Sequence, residues 1–533
     1  MARSPLMRVV QRIAREALAA RGDPGERRAA DPARRRLLAR AGALAAAGAA
    51  GAWSPLVPGA ATSRVVIVGA GLAGLAAAHA LARAGVHAAV YEGSTRIGGR
   101  CWSERQAFAD GQVAERGGEL IDTSHATLRA LVPELGLELD DLLATEPAGS
   151  EPVAWFDGAP YGVADITRDF VRVLPAVERD AALLGDELPT FDRHTPAQRR
   201  LDRLSAAQWI DANVPGGMRS RFGQLLVNAY GEELGGEPGE ISAVTMVSLL
   251  AGSPKDRFSP YEESDQRYHV RGGNDQVVTR LAQPVASSIE TGARLVAFAR
   301  GADGRYRLVF LRDGAEREVV ADRVILALPF TLLRLADTRN AGFSARKRQS
   351  IAELGMGRNT KTQLQFDERF WLAANCNGEY RLRGVFQTTW EVTRAQQGRA
   401  GVLNFFAGGA AAEAAGLPPI TDAARICLAA MAPMAPQSAA MWNGRVIRNA
   451  WDRNPWSFGS YALVKPGQYT SFYGIEGRPE GHVYFAGEHT SLAAQGYLEG
   501  AVESGQRAAH EVLASLGMRR LRVAVEERVR RVG

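Results

Sequence analysis

Arg64-Val-Val-Ile-Val68 runs directly into Gly69-Ala-Gly-Leu-Ala-Gly74. The first five residues predict a short β-branched strand and the next six a glycine turn. The Ala/Leu-rich stretch that follows predicts a helix to about Ala84, stopped by Gly85. A second strand is expected over His87–Tyr91, ending at Glu92. Each part has a physical job in a dinucleotide site. Gly69 permits the tight turn, Gly71 lets backbone approach a pyrophosphate, and Gly74 lets the helix pack close to the strand. The helix N-terminus offers free N–H groups and a positive dipole end to the phosphates. Glu92 can accept hydrogen bonds from a ribose diol.

Working outward, the chain has 533 residues, 46% hydrophobic and 23% charged. That length exceeds one core, so two or more domains are expected. The ordinary composition excludes a mostly disordered or fibrous chain. Only three cysteines occur, Cys101, Cys376 and Cys427, and no C-x-x-C, which excludes a disulfide scaffold and a zinc ribbon. No metal constellation and no Ser-His-Asp set stands out. No apolar run is long enough for a bilayer span.

The net charge of +6 divides unevenly: residues 1–40 carry +7 and residues 517–533 carry +4, leaving the body at −5. A nucleic-acid groove needs basic charge clustered on the folded body, so that class is set aside. Residues 33–38 read Ala-Arg-Arg-Arg-Leu-Leu, followed by a short apolar stretch, Ala41–Trp53, and small residues to Thr62. This pattern predicts a targeting segment over 1–62 that resembles a twin-arginine signal, with export to the periplasm or beyond. A basic surface tail, and a cytoplasmic protein, is the alternative.

The text after Glu92 addresses which dinucleotide is bound. Gly93-Ser-Thr-Arg-Ile-Gly-Gly-Arg100 puts a second flexible loop and a fixed cation beside the pyrophosphate. It resembles the flavin-binding signature of the flavin amine oxidase superfamily. The resemblance extends over roughly 63–515. It includes Glu115-Arg-Gly-Gly-Glu-Leu-Ile-Asp122, Arg294-Leu-Val-Ala297, Asp322–Pro329, Val483–His489 and Gly496–Gly505. No second glycine fingerprint follows a strand, so an NADPH domain is not expected and O2 is the simplest oxidant.

The resemblance implies a discontinuous Rossmann-type α/β FAD-binding domain (63–122, 268–330 and 450–516). An α+β substrate-binding domain (123–267 and 331–449) is inserted, and a basic tail (517–533) follows. The implied cofactor contacts are Gly69, Gly71, Gly74, Glu92, Arg100, Gly117, Gly118, Glu119, Val296, Trp451, Gly487, Glu488 and Leu498. A helix starting near Tyr497 would aim its positive end at the flavin and stabilise the reduced anion. Lys361 resembles the family lysine that holds a water near the flavin; an exposed strand-edge lysine is the plain alternative. Tyr461 and Tyr497 resemble the aromatic walls that flank the amine, with Trp451 and Trp456 beside them. Trp102 reads as core, and His489 as a hydrogen-bonding residue. Ser460 stands where monoamine oxidases carry the cysteine that tethers the flavin, which implies non-covalent FAD.

The implied reaction is oxidative deamination of a primary amine by O2, giving a carbonyl compound, ammonia and hydrogen peroxide. Several segments resemble bacterial and fungal L-amino-acid oxidases: Glu119–His125, Arg271–Gln276, Gly459–Tyr461 with Pro466–Gln468, and Gly487–Ser491. They tilt the reading toward an L-amino acid. Against it, the position of the carboxylate-binding arginine in venom-type enzymes is Trp102 here. A monoamine or polyamine oxidase, a desaturase-type flavoprotein and a non-catalytic FAD-binding protein remain as alternatives. Nothing in the sequence decides for or against a homo-oligomer.

Overall fold

The computed structural model describes residues 64–518, apart from 186, 254–257 and 259–263. The expected targeting segment and nearly all of the basic tail lie outside the described residues.

Five parallel strands form the first sheet: β1 (Val65–Val68), β2 (Ala88–Tyr91), β3 (Ile289–Glu290), β4 (Arg323–Leu326) and β5 (Val483–Phe485), in the order β5-β4-β1-β2-β3. Every side chain of β1 is buried, as its Val-Val-Ile-Val sequence demands of a central strand covered on both faces. Two helices cover one face. They are α1 (Leu72–Arg83), which follows the glycine turn, and α2 (Leu498–Ser515), the last long helix. Their contact is close because both carry small residues: a Cβ at Gly505 would lie 2.3 Å from the Ala73 carbonyl. At Gly74 a Cβ would lie 1.9 Å from the Gly69 carbonyl, so the turn and the helix fit only with glycine. An antiparallel meander of Arg294–Arg300, Tyr306–Arg312 and Ala315–Ala321 covers the other face.

The second sheet has seven strands. Their order is Trp442–Ala450, Asn359–Phe366, Gly401–Gly408, Thr388–Glu391, Cys376–Leu382, Glu151–Phe156, Ala159–Pro160. Glu151–Phe156 pairs in parallel with Cys376–Leu382, joining parts of the chain more than two hundred residues apart. The long helix Val163–Leu184, with Arg221–Leu234 and Ala243–Leu250, builds a separate apolar core beside it. This is a Rossmann-type α/β domain carrying an inserted α+β domain.

Boundaries expected from sequence shift by a residue or two, as helix ends do: α1 ends at Arg83 and α2 starts at Leu498 with Tyr497 as its N-cap. All three cysteines are buried and unbridged. Among the described residues no helix is long and apolar enough to cross a membrane, and no cluster of side chains could hold a metal.

Candidate active site

The two sheets meet around a cavity of about 730 Å³. Its floor is the glycine turn. Gly69 (φ +103°), Gly71, Leu72 and Ala73 line it, and a Cβ on Gly71 would meet nothing within 4 Å. The space over Gly71 belongs to the cavity, which fits a bound pyrophosphate resting on bare backbone. Gly496, Tyr497, Leu498 and Ala501 bring the N-terminus of α2 to the same space. Two helix N-termini, each a partial positive charge, thus converge on one cavity.

Glu92 is fixed by backbone: Oε2 accepts from the Ala70 N–H at 2.8 Å and Oε1 from the Ser94 N–H at 2.9 Å. Each oxygen keeps acceptor capacity for a ribose hydroxyl. A second cavity, about 380 Å³, adjoins the first and shares Gly69, Glu92 and Trp456 with it. Val296 lines this second space, at a register shift in its strand that leaves it without a cross-strand partner there. The pair of adjoining cavities has room for the two halves of a dinucleotide.

Arg100 and Glu488 clamp the far wall. Arg100 Nη1 donates to Glu488 Oε1 at 2.8 Å and to the Ser460 carbonyl at 2.7 Å. Glu488 also accepts from the N–H groups of Ala462 and Gly496. Gly487, Gly117, Gly118 and Trp451 line the same cavity, and Trp451 Nε1 donates to the Arg116 carbonyl at 2.9 Å. A Cβ on Gly117 would lie 1.8 Å from the Arg100 carbonyl, so this loop too is close-packed backbone.

Lys361, Tyr461 and Tyr497 line the cavity together. Lys361 is not an edge lysine. Its strand, Asn359–Phe366, pairs on both sides, with Phe406 and Asn449 opposite Lys361. Tyr461 Oη donates to the Glu232 carbonyl at 3.3 Å. Tyr497 packs edge-on against His125, with ring centroids 4.7 Å apart, and its hydroxyl has no protein partner among the described residues. Burial holds the His125 imidazole down, at a pKa of about 4, so it packs against Tyr497 as a neutral ring.

Five expectations need correction. Glu119 does not line the cavity; it stands behind Lys361, whose Nζ donates to its Oε2 at 2.6 Å. Gly74 does not line it either and serves only the packing of α1. Trp456 lies against Gly93 at the junction of the two cavities, not only on the tyrosine wall. Trp102 is not plain core; it lines the cavity with the guanidiniums of Arg96 and Arg116 over its ring at 4.4 and 4.7 Å. Neither ring nitrogen of His489 makes a hydrogen bond among the described residues. Its ring packs edge-on to Phe330, and burial together with Arg100 pushes its pKa well down. Sequence reasoning missed Asn359, Phe406 and Asn449 on the wall and Trp390 behind it. Period-two spacing from Lys361 would have found Asn359 alone.

A profile of the family described as flavin containing amine oxidoreductase matches residues 72–513. The chain belongs to that family. Its cofactor is FAD, held without a covalent tether; the Ser460 hydroxyl is spent on Asn359 Oδ1. The flavin-containing amine oxidase A of dog (Canis lupus familiaris) is 26% identical over 472 residues, covering 85% of each chain. A Bacillus subtilis protein, YobN, described as a candidate L-amino-acid oxidase, is 24% identical over 464 residues, covering 84% of this chain and 94% of its own. Among solved structures, a putrescine oxidase bound to putrescine superposes with a TM-score of 0.71 at 25% identity, covering 85% of this chain and 99% of that one.

Proposed function

We propose that the protein oxidises a primary amine with O2, releasing a carbonyl compound, ammonia and hydrogen peroxide. The supporting observation is that Tyr461, Tyr497 and Lys361 share one cavity with the glycine turn and two helix N-termini. Bound FAD supplies the two-electron acceptor for the hydrogen on the carbon that bears nitrogen. The protein does the rest. Gly71 and the start of α1 hold the pyrophosphate, Glu92 the ribose and Val296 the adenine. The start of α2 favours negative charge on the flavin ring. Tyr461 and Tyr497 present aromatic faces that orient an amine and exclude water from its apolar part. Lys361 stands at the wall with its ammonium held by the Glu119 carboxylate and the carbonyls of Glu115 and Gly117.

The reading that fits best is an amine without a carboxylate. Arg96, Arg100, Arg116, Arg448 and Arg453 line the cavity, and each already donates to a protein acceptor. None of those bonds uses all five donors of a guanidinium, so the preference rests on the similarity to amine oxidase A and to putrescine oxidase. An L-amino acid is the second reading, favoured by the similarity to YobN. A peroxide assay over aliphatic amines, aryl amines, diamines and L-amino acids separates them. Turnover of amines above that of the matching amino acids is the expected result; the reverse order overturns it. We further propose export in the folded state; replacing Arg34 and Arg35 by Lys should then hold the protein in the cytoplasm.

A further inference from the structure

Two donors converge on Glu119. Lys361 Nζ donates to Oε2 at 2.6 Å and Trp390 Nε1 donates to Oε1 at 2.9 Å. Both oxygens therefore act as acceptors. A protonated acid or an amide would turn one of them into a donor facing a donor. The place calls for an ionised carboxylate. The other two donors of Lys361 go to the carbonyls of Gly117, at 2.9 Å, and Glu115, at 3.2 Å. All three of its donors are thus met by protein, and none is left for a molecule in the cavity. The side chains of Lys361 and Glu119 are only 8% and 6% exposed, so water screens neither charge.

Lys361 and Glu119 together carry no net charge. A lone lysine here would put a full positive charge at the cavity wall. We propose that Glu119 is a positioning residue that sets the electron affinity of the bound flavin by masking the Lys361 ammonium. The proposal rests on the reading of this cavity as the flavin site. Two-electron reduction leaves the flavin ring negatively charged. An unmasked cation on the wall would stabilise that state, strongly so in a low-dielectric site.

The test uses the holoenzyme and needs no amine, so it can fail independently of the substrate assignment. Midpoint potentials are measured by reductive titration. Sulfite affinity is the second readout, since sulfite donates its electron pair to the oxidised flavin and leaves the ring negatively charged. Glu119→Gln should raise the potential and tighten sulfite binding about tenfold. Glu119→Asp, which keeps the carboxylate, should stay near wild type. The double variant Glu119→Gln/Lys361→Met removes both charges and should return both readouts to wild-type values. It is also the arm least exposed to misfolding, because it strands no buried charge. Should Glu119→Gln fail to hold FAD, Lys361→Met decides. It leaves the Glu119 carboxylate unmasked and should lower the potential and weaken sulfite binding about tenfold, and unchanged values overturn the proposal. A potential that stays put or falls in Glu119→Gln overturns the proposal, as does a double variant that departs from wild type.

Discussion

β1 and the strand Asn359–Phe366 are both buried along their whole length, and they are made of opposite chemistry. β1 is Val-Val-Ile-Val; the other strand is Asn-Thr-Lys-Thr-Gln-Leu-Gln-Phe. β1 only has to pack, because the turn it leads into meets its ligand with bare backbone. The second strand works through side chains, and each buried polar group needs a partner. Lys361 finds Glu115, Gly117 and Glu119; Gln363 finds the Glu115 carbonyl; Gln365 finds Ala109 and Gln112; Asn359 finds the Glu232 carbonyl. One wall of the cavity is thus a backbone cradle and the other a wired polar face. The first tolerates no added atoms at Gly74 or Gly117, where a Cβ would run into backbone; the second tolerates no lost partners.

The largest effect should come from crowding the cradle. Gly74→Val drives a side chain into the Gly69 carbonyl and should cost more than about 4 kcal/mol, read as loss of soluble folded protein. On the polar wall, Lys361→Met should leave FAD bound but strand Glu119 as a buried charge. Reoxidation by O2, timed by stopped flow, should slow ~10²–10³-fold while reduction by substrate falls less. Equal slowing of both halves would break the distinction between the walls. Gly71→Ala sharpens the first comparison, because its Cβ meets open space in the protein and only a ligand above it. Stability without FAD should match wild type, whereas FAD affinity should drop roughly tenfold and with it the stabilisation FAD provides.

The smallest effect concerns pH. His269 Nε2 lies 2.9 Å from Glu115 Oε1 on the reverse of the polar wall. Burial pulls the imidazole pKa down, but the hydrogen bond and charge of Glu115 outweigh it and leave the value above 6.5. The folded pKa exceeds the unfolded one, so this contribution is complete below pH 6.5 and is lost as pH rises through the folded value. Thermal unfolding midpoints should decline across that window in the wild type, and the slope should flatten in His269→Gln.

The same contrast explains what could be read from the sequence. The cradle was legible because its signals are local: Gly69, Gly71, Gly74 and Glu92 fall within one βαβ unit. Lys361, Tyr461 and Tyr497 were legible by resemblance. The partners were not. Glu119 lies 242 positions from Lys361 and Trp390 lies 271 from Glu119, so spacing says nothing of their contact. The alternating pattern of Lys361–Phe366 suggests one wet face, yet both faces are buried, because the loop that carries Glu115 and Glu119 covers the polar one. The contact of Trp456 with Gly93 was not legible, because nothing in Pro455-Trp-Ser-Phe458 encodes the notch that Gly93 leaves for its ring.

The most direct test of the whole account is anaerobic titration of the purified yellow holoenzyme with a primary amine. The account predicts bleaching of the flavin absorbance, complete at one equivalent of amine per flavin, and return of the colour with one equivalent of hydrogen peroxide on admitting O2. A flavin that stays oxidised under every primary amine and amino acid, yet reduces normally with dithionite, would contradict it.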